Sequence, residues 1–219
     1  MYYGLRQWHV KQGVLDRRDR LTVDKLERQV EGMTEAQIQQ NAVSEGEADI
    51  EPATVAGEAV EELSARPSSS ARGAYLSIER ALIDKLSACF GRSYRVLANR
   101  RVGAAEYDAV LAAYDDHTVD VIFEIKYARR GFGYGWISET AKRVVLSSEL
   151  YAQLTGRANF PVVLVVAPRD VLAKKDVALY KERIYRDAEV SRSTLALHFL
   201  DEETIRDLSC DQLRSLLSV

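Results

Sequence analysis

Residues 107–126, YDAVLAAYDDHTVDVIFEIK, decide the fold that the rest of the chain is expected to adopt. The stretch has apolar runs on either side of a polar tip at 115–118, which is typical of two strands joined by a turn. Asp108 lies near the start of the first strand, and Glu124 and Lys126 lie near the end of the second. Because side chains alternate along a strand, Glu124 and Lys126 are predicted to point to the same face.

The loop between these strands determines whether Asp108 joins the other two charges. Directly opposed side chains of an antiparallel pair lie on the same face, so a three-residue loop at 115–117 would place Asp108 opposite Glu124. A two-residue loop at 116–117 would instead pair Asp108 with Ile125 and turn its side chain away, because a one-residue shift reverses the face. A site made of these groups therefore requires an odd loop or a bulge.

Two carboxylates and a lysine at the end of one hairpin have the chemistry of a Mg²⁺ site with a cation beside it. Mg²⁺ prefers carboxylate oxygens, retains several waters and is completed by substrate phosphate. The alternative is that Glu124 and Lys126 form a solvated pair, which would contribute little to stability. Among the eight lysines of the chain, only Lys126 follows an acidic residue by two positions, and it does so within an apolar strand.

The order of Asp108, a hairpin and then E-I-K at 124–126 closely resembles the signature of the PD-(D/E)xK nuclease superfamily, which has the restriction-endonuclease-like fold. Tyr107 stands where the superfamily's name has proline, a change that many members tolerate. The resemblance implies an α/β fold with an αβββαβ core, in which a central mixed sheet is flanked by helices. It covers most of a nuclease-like domain at 73–219 and none of residues 1–71.

The resemblance also implies a role for each signature residue. Asp108, Glu124 and the backbone carbonyl of Ile125 would hold Mg²⁺, with Mn²⁺ as a substitute. Lys126 would orient or activate the attacking water and stabilise the charge that develops on phosphorus. The reaction would be hydrolysis of a phosphodiester bond.

A helix is predicted at 74–90, since apolar residues recur there at helical spacing and Gly91 follows. Glu79 lies at the margin of its apolar face. Many members of the superfamily contribute a glutamate from this helix, so the resemblance implies that Glu79 binds a second metal or positions a water. The alternative is a surface glutamate paired with Arg80 or Lys85.

The segment directly after the hairpin, RRGFGYGW at 129–136, combines arginines, glycines and aromatic residues. Arginines bind phosphate, glycines permit unusual backbone angles, and aromatic rings stack on bases. We therefore predict a substrate-binding loop, extended by two cations in the following helix. The alternative is a glycine-rich connection whose aromatic rings cover the core. The predicted substrate-binding residues are Arg129, Arg130, Tyr134, Trp136, Lys142 and Arg143.

Other patterns complete the expected order of elements. A first strand is predicted at 94–99 with a turn at 100–103, and an amphipathic helix at 137–154 with Ser138 as its N-cap. The apolar run at 160–167 predicts a central strand covered on both faces. The remaining predictions are a polar helix at 174–188, a strand at 194–200 with a structural His198, and a final helix that begins after Ser209 and includes Leu217.

The first third of the chain has a different composition. Residues 1–41 carry a sparse apolar stripe and a candidate capping box at Thr34 and Gln37, which predicts a helical N-terminal segment. Residues 42–72 hold seven acids at 45–62, followed by a serine-rich stretch. Low hydrophobicity and like charge are typical of a disordered or mobile linker.

Charge and cysteine content limit which partners and which cellular compartment are expected. The net charge of −3 does not favour nucleic acid, but residues 72–143 around the hairpin carry +3 while both flanking parts are negative. Cys89 and Cys210 lack the spacing of a zinc site or a disulfide framework, so a cytoplasmic location is expected. No apolar run is long enough to span a bilayer, so a membrane partner is not expected unless the sequence is a fragment.

Together these observations predict a metal-dependent endo- or exodeoxyribonuclease, with DNA as substrate in preference to RNA. A role in repair or defence and a homodimeric state are compatible with this prediction. One alternative is a non-catalytic module of the same fold that docks a protein partner through residues 1–71. Another is an effector that stays inactive until the linker responds to a signal.

Overall fold

A computed structural model describes residues 30–40, 69–115, 118–186 and 195–216. Within these ranges the chain forms a six-stranded mixed open sheet with helices on both faces, which confirms the predicted α/β class. The strands, in their order across the sheet, are β1 (Glu31–Gly32), β2 (Tyr94–Val102), β3 (Ala105–Ala113), β4 (Asp120–Tyr127), β5 (Asn159–Ala167) and β6 (Ala196–Asp201). The helices are α1 (Ser69–Phe90), α2 (Tyr134–Thr155), α3 (Arg169–Ala173), α4 (Val177–Tyr185), α5 (Glu202–Ile205) and α6 (Cys210–Leu216).

Strands β1 to β4 are antiparallel, and β4, β5 and β6 are parallel. The continuous apolar run predicted a strand covered on both faces, and residues 162–167 of β5 are fully buried. Leu82 of α1 shares a core cluster with Leu164, whereas Ile137 of α2 shares another with Val163. Because adjacent residues of a strand point to opposite faces, α1 and α2 cover opposite faces of the sheet.

The N-terminal segment adds an edge strand to the sheet. Val30 is buried, and Glu31–Gly32 pairs with the end of β2, so the prediction of helix at these positions is wrong. Residues 35–40 are helical, and Thr34 and Gln37 form the predicted capping box. The remaining predictions for the first 41 residues, and most of the predicted linker, lie outside the described residues.

The turn predicted at 100–103 is wrong because β2 continues to Val102, which pairs with Ala105 of β3. The reversal falls instead at Gly103, whose φ of 61° lies in the left-handed region that glycine adopts readily. Helix α1 begins at Ser69, inside the stretch predicted to be linker.

Helix α2 begins at Tyr134, earlier than predicted, and its N-cap is Gly133. The prediction of Ser138 as N-cap is therefore wrong, and Ser138 lies in the second turn. Packing of the first-turn aromatic residues on the core outweighs the capping preference of serine. The helix ends at Gly156, whose φ is 70° and whose amide donates to the carbonyl of Ala152.

The C-terminal predictions hold in type but differ in their bounds. The polar helix predicted at 174–188 is the shorter α4, whose N-cap Asp176 accepts a hydrogen bond from the amide of Leu179. Strand β6 corresponds to the one predicted at 194–200. The final helix, α6, follows the predicted capping box of Ser209 with Gln212.

Cys89 at the end of α1 and Cys210 at the start of α6 form a disulfide, with Cα atoms 5.1 Å apart. The expectation that these cysteines are unpaired is wrong. They are 121 positions apart in sequence, and only the packing of α6 against α1 brings them together. The disulfide removes the cysteine argument for a reducing compartment. Among the described residues, no helix has the length and apolar character needed to cross a bilayer.

Candidate active site

The hairpin has the register that the candidate site requires. β3 and β4 pair through Ala109 with Phe123 and the two pairs that follow toward the tip. Continuing this register by one residue brings Asp108 opposite Glu124. The geometry is that of the odd loop, although the tip at 116–117 lies outside the described residues.

Backbone pairing between β3 and β4 stops immediately before the site. Beyond the pair of Ala109 with Phe123, the Asp108 carboxylate accepts a hydrogen bond from the amide of Ile125 at 2.6 Å. On its other side, Asp108 faces Asn99 of β2, a position where the β2–β3 ladder has no pair. A side chain thus replaces the backbone ladder at this point, and the strands part around it.

The residue before Asp108 fixes this break in the sheet. Tyr107 is buried, its hydroxyl donates to the carbonyl of Ser147 at 2.7 Å, and its ring packs edge-on against Tyr151. These contacts direct Tyr107 toward α2, whereas Ala109 packs in the cluster beneath α1. The alternation of β3 therefore changes phase at Asp108, and the tyrosine in the proline position anchors the strand to α2.

Lys126 and Glu124 form a buried ion pair at the end of β4. The Lys126 ammonium lies 2.8 Å from Glu124 Oε1, and the two side chains are 3% and 13% exposed. Arg143 of α2 donates to the same oxygen at 2.9 Å, while its own side chain is 59% exposed. The alternative of a solvated surface pair is therefore wrong.

Glu79 of α1 is 4% exposed, so the alternative of a surface glutamate is wrong. Lys85, one of its suggested partners, donates to the carbonyl of Leu208. The Asn99 side chain hydrogen-bonds the Glu79 carboxylate, but among the described residues Glu79 Oε1 has no hydrogen-bond partner. Burial raises the pKa of Glu79, and the nearby charge of Lys126 opposes that rise.

Asp108 is held among other carboxylates. Its pKa is raised well above the ordinary value, first by burial and then by the negative charges of Glu124 and Glu79. The Lys126 ammonium and the Ile125 amide act in the opposite direction. Carboxylates crowded together in this way are typical of functional sites. In a structural ion-pair network, each carboxylate would be expected to have its own cationic partner.

Asp108, Glu124 and Lys126 open onto a cleft of about 430 Å³, and the buried Glu79 lies behind them without lining it. One wall is formed by α2 from Arg143 to Leu150, and another by the β2–β3 turn at 104–106. Tyr75 of α1 also lines the cleft, with its hydroxyl 3.4 Å from the carbonyl oxygen of Ile125. Sequence analysis missed Tyr75; the available signal was its position one helical turn before Glu79.

Comparison with models of known protein families, with curated proteins and with solved structures finds no match to this chain. The assignment of a function therefore depends on the geometry of the site and on the sequence pattern that produces it.

The carboxylates of Asp108 and Glu124 both line the cleft. Within the described ranges, no group of three or more His, Cys, Asp or Glu is placed to hold a metal ion. Asp108 and Glu124 would supply carboxylates and Ile125 a carbonyl, and water would complete the coordination, as Mg²⁺ prefers. A cation there would relieve the repulsion that raises the pKa of Asp108.

Of the predicted substrate-binding cations, only Arg143 lines the cleft. Lys142, directly before Arg143 in α2, is half-buried and does not line the cleft. Arg129 and Arg130 are exposed beyond the end of β4 and also lie outside the cleft lining.

The predicted stacking residues are likewise placed away from the cleft. Tyr134 and Trp136 lie in the first turn of α2 and pack on the core between α2 and the sheet. The Tyr134 ring meets Tyr180 edge-on, with centroids 5.9 Å apart. This is the arrangement that the alternative for the glycine-rich segment described, in which aromatic rings cover the core.

Proposed function

We propose that this chain is a metal-dependent nuclease of the PD-(D/E)xK superfamily, with the restriction-endonuclease-like fold. The observation that carries the proposal is the hairpin register, which brings Asp108 opposite Glu124. The same strand holds the Lys126 ammonium 2.8 Å from Glu124 at the edge of an open cleft. A register shifted by one residue would have separated these groups.

The residues of the cleft and the neighbouring Glu79 would divide the work of phosphodiester hydrolysis. Asp108, Glu124 and the Ile125 carbonyl would hold the metal ion, which polarises a phosphate and lowers the pKa of bound water. Lys126, paired with Glu124, would stabilise negative charge that develops on the phosphoryl oxygens. Glu79, with one oxygen left without a partner, would accept a hydrogen bond from the attacking water.

Arg143 would bind the substrate before the reaction. Its guanidinium is largely exposed and already reaches the cleft, so a phosphate can replace or join Glu124 as its partner. The positive balance of residues 72–143 would favour the approach of a polyanion.

DNA is the proposed substrate by analogy with most of the superfamily, and the fold alone does not determine this choice.

The effector alternative has two supporting observations. Strand β1 is part of the N-terminal segment, and it pairs with β2 next to the site. In addition, the amide of Met33 donates to the carbonyl of Asn99, which lies opposite Asp108. A signal that displaces this segment would therefore act on the site directly.

The test is incubation of the purified chain with linear and circular duplex DNA, single-stranded DNA and RNA, in Mg²⁺, Mn²⁺ or EDTA. Lys126→Met removes the buried ammonium. Lys174→Met is the matched control, because Lys174 is exposed between α3 and α4. The proposal expects metal-dependent cleavage that only Lys126→Met abolishes. Absence of cleavage on every substrate, with retained partner binding, would favour the non-catalytic module.

A further inference from the structure

Asn99 has an unusual backbone for its position in the sheet. It lies within β2, yet its φ is 49°, and it is the only non-glycine residue with a positive φ among those described. Asparagine tolerates this left-handed region better than most residues, but a strand interior requires an extended backbone. Such conformations persist where the surrounding structure holds them, and they concentrate at functional sites.

The side chain of Asn99 reaches the candidate site. It hydrogen-bonds the carboxylate of Glu79, which is 4% exposed and has one oxygen without a partner in the described part of the chain. The backbone of Asn99 faces Asp108 at the gap in the β2–β3 ladder. One residue thus contacts the glutamate and flanks the aspartate.

The N-terminal segment holds the backbone of Asn99 from the other side. The amide of Met33 donates to the Asn99 carbonyl at 3.0 Å. The two residues that follow Asn99, Arg100 and Arg101, pair with Gly32 and Glu31 of β1. The left-handed residue is therefore fixed between the pairing of β1 and the regular part of β2.

We propose that Asn99 is a positioning residue that holds Glu79 beside Asp108, and that β1 sets the conformation of Asn99. The inference rests on the proposed nuclease function and adds a link between the N-terminal segment and the site. A purely conformational role would be filled equally well by glycine, which adopts positive φ without strain. The amide that meets Glu79 is what distinguishes asparagine from glycine here.

The first variant is Asn99→Gly, which keeps the backbone preference and removes the amide. We expect kcat to fall about 10- to 100-fold, the usual effect of removing a residue that orients a metal-site group, with KM nearly unchanged. Combining it with Glu79→Gln gives a double-mutant cycle. If Asn99 acts through Glu79, the double variant will cleave as slowly as Glu79→Gln alone. Fully additive losses would overturn the proposal.

The second variant is Met33→Pro, which removes the amide donor that the residue directly after β1 presents to Asn99. Its matched control is Met33→Ala, which keeps that amide. We expect Met33→Pro to lower kcat in the same way as Asn99→Gly and the control to match wild type. Equal activity of Met33→Pro and Met33→Ala would refute the role of β1.

Mn²⁺ binding, measured by electron paramagnetic resonance without nucleic acid, separates failure of this inference from failure of the proposed function. A wild type that neither cleaves nor binds Mn²⁺ contradicts the nuclease proposal and removes the basis of the inference. A wild type that does both, with Asn99→Gly unchanged in cleavage and in Mn²⁺ affinity, contradicts the inference alone. Support is slower cleavage by Asn99→Gly with Mn²⁺ affinity retained, because Glu79 is proposed to hold the attacking water and not the metal ion.

Discussion

The hairpin of β3 and β4 carries a carboxylate near each of its ends, Asp120 at the start of β4 and Asp108 in β3. Only Asp120 is fully paired. Asp120, at the start of the strand, has no exposed surface and accepts hydrogen bonds from the amide of Ala113 and the hydroxyl of Tyr151, each at 2.8 Å. Arg157 donates two more, at 2.6 and 2.8 Å. This carboxylate joins the hairpin to α2 and the segment after it.

The other end of the hairpin has the opposite character. Asp108 receives one backbone hydrogen bond from Ile125, lies among Glu124 and Glu79, and has a raised pKa. Glu79 retains an oxygen without a partner within the described residues. The difference teaches that burial of charge alone does not indicate a site. Incomplete pairing beside an open cleft favours a functional site, because buried charges with a structural role are usually fully paired.

The largest expected effect is on the cleavage rate, which should depend on the carboxylate of Asp108. Asp108→Asn should lower the cleavage rate about 10³-fold, since a carboxylate ligand and its charge are lost from the site. Asp170→Asn, on exposed α3, is the matched control and should cleave at the wild-type rate. Initial rates on the substrate found for wild type provide the measurement. Cleavage by Asp108→Asn at more than a tenth of the wild-type rate would contradict the assignment of this end as the active site.

The second effect is on the free energy of unfolding, which should depend on the carboxylate of Asp120. Asp120→Asn should lower the free energy of unfolding by about 3 kcal/mol, because the nearly buried Arg157 loses its counter-charge. Urea denaturation curves of wild type and variant, with Asp170→Asn as control, give this value. A loss within about 0.5 kcal/mol, the range of ordinary surface substitutions, would mean that the Asp120 end is not structural.

The third effect is that Asp108→Asn should stabilise the chain in the absence of metal, by about 1 kcal/mol at pH 8, as expected when function opposes stability. The folded state binds a proton at Asp108 more tightly than the unfolded state, whose carboxyl has the ordinary pKa of 3.8. Stability contributed by the protonated form is therefore complete below that pKa and is lost as pH rises through the higher folded value. The advantage of the asparagine variant should grow from near zero at pH 4.

Urea denaturation at pH 4, 6 and 8 checks this third prediction. Added Mg²⁺ should remove the advantage by stabilising wild type alone. An advantage that shrinks as pH rises would show that the Asp108 carboxylate is stabilised in its charged form, like a structural ion pair.

The smallest effect concerns the cations around the cleft. Arg143→Ala should raise KM about fivefold with little change in kcat, as loss of one exposed phosphate contact would. Arg130→Ala should leave both constants near wild type, because Arg130 lies outside the cleft lining. Steady-state kinetics at two salt concentrations measure both. A larger increase in KM for Arg130→Ala than for Arg143→Ala would support the substrate-binding loop predicted from the sequence.

What the sequence predicted well depends on local pattern. Alternation and turn residues determined the hairpin, whose register matches the odd-loop geometry. The buried run at 162–167 and the capping boxes at Thr34 and Ser209 are likewise local signals, and the structure confirms them. The metal and the reaction remain predictions, since they come from a resemblance.

What the sequence did not show depends on pairing between distant segments. The disulfide of Cys89 with Cys210 forms only when α6 packs on α1. Asn99 sits at its left-handed position because β1 and Glu79 hold it there, and no nearby sequence pattern marks this. The aromatic residues after the hairpin were assigned to substrate because composition cannot distinguish a ring that stacks on a base from one that covers a core.

The most direct test of the account is a Mn²⁺ titration of wild type, Asp108→Asn and Asp170→Asn, followed by electron paramagnetic resonance. The account predicts saturable binding in wild type and in Asp170→Asn, and its loss in Asp108→Asn while that variant remains folded. Equal binding by all three proteins, or binding by none of them, would contradict the claim that the incompletely paired end of the hairpin is a metal site.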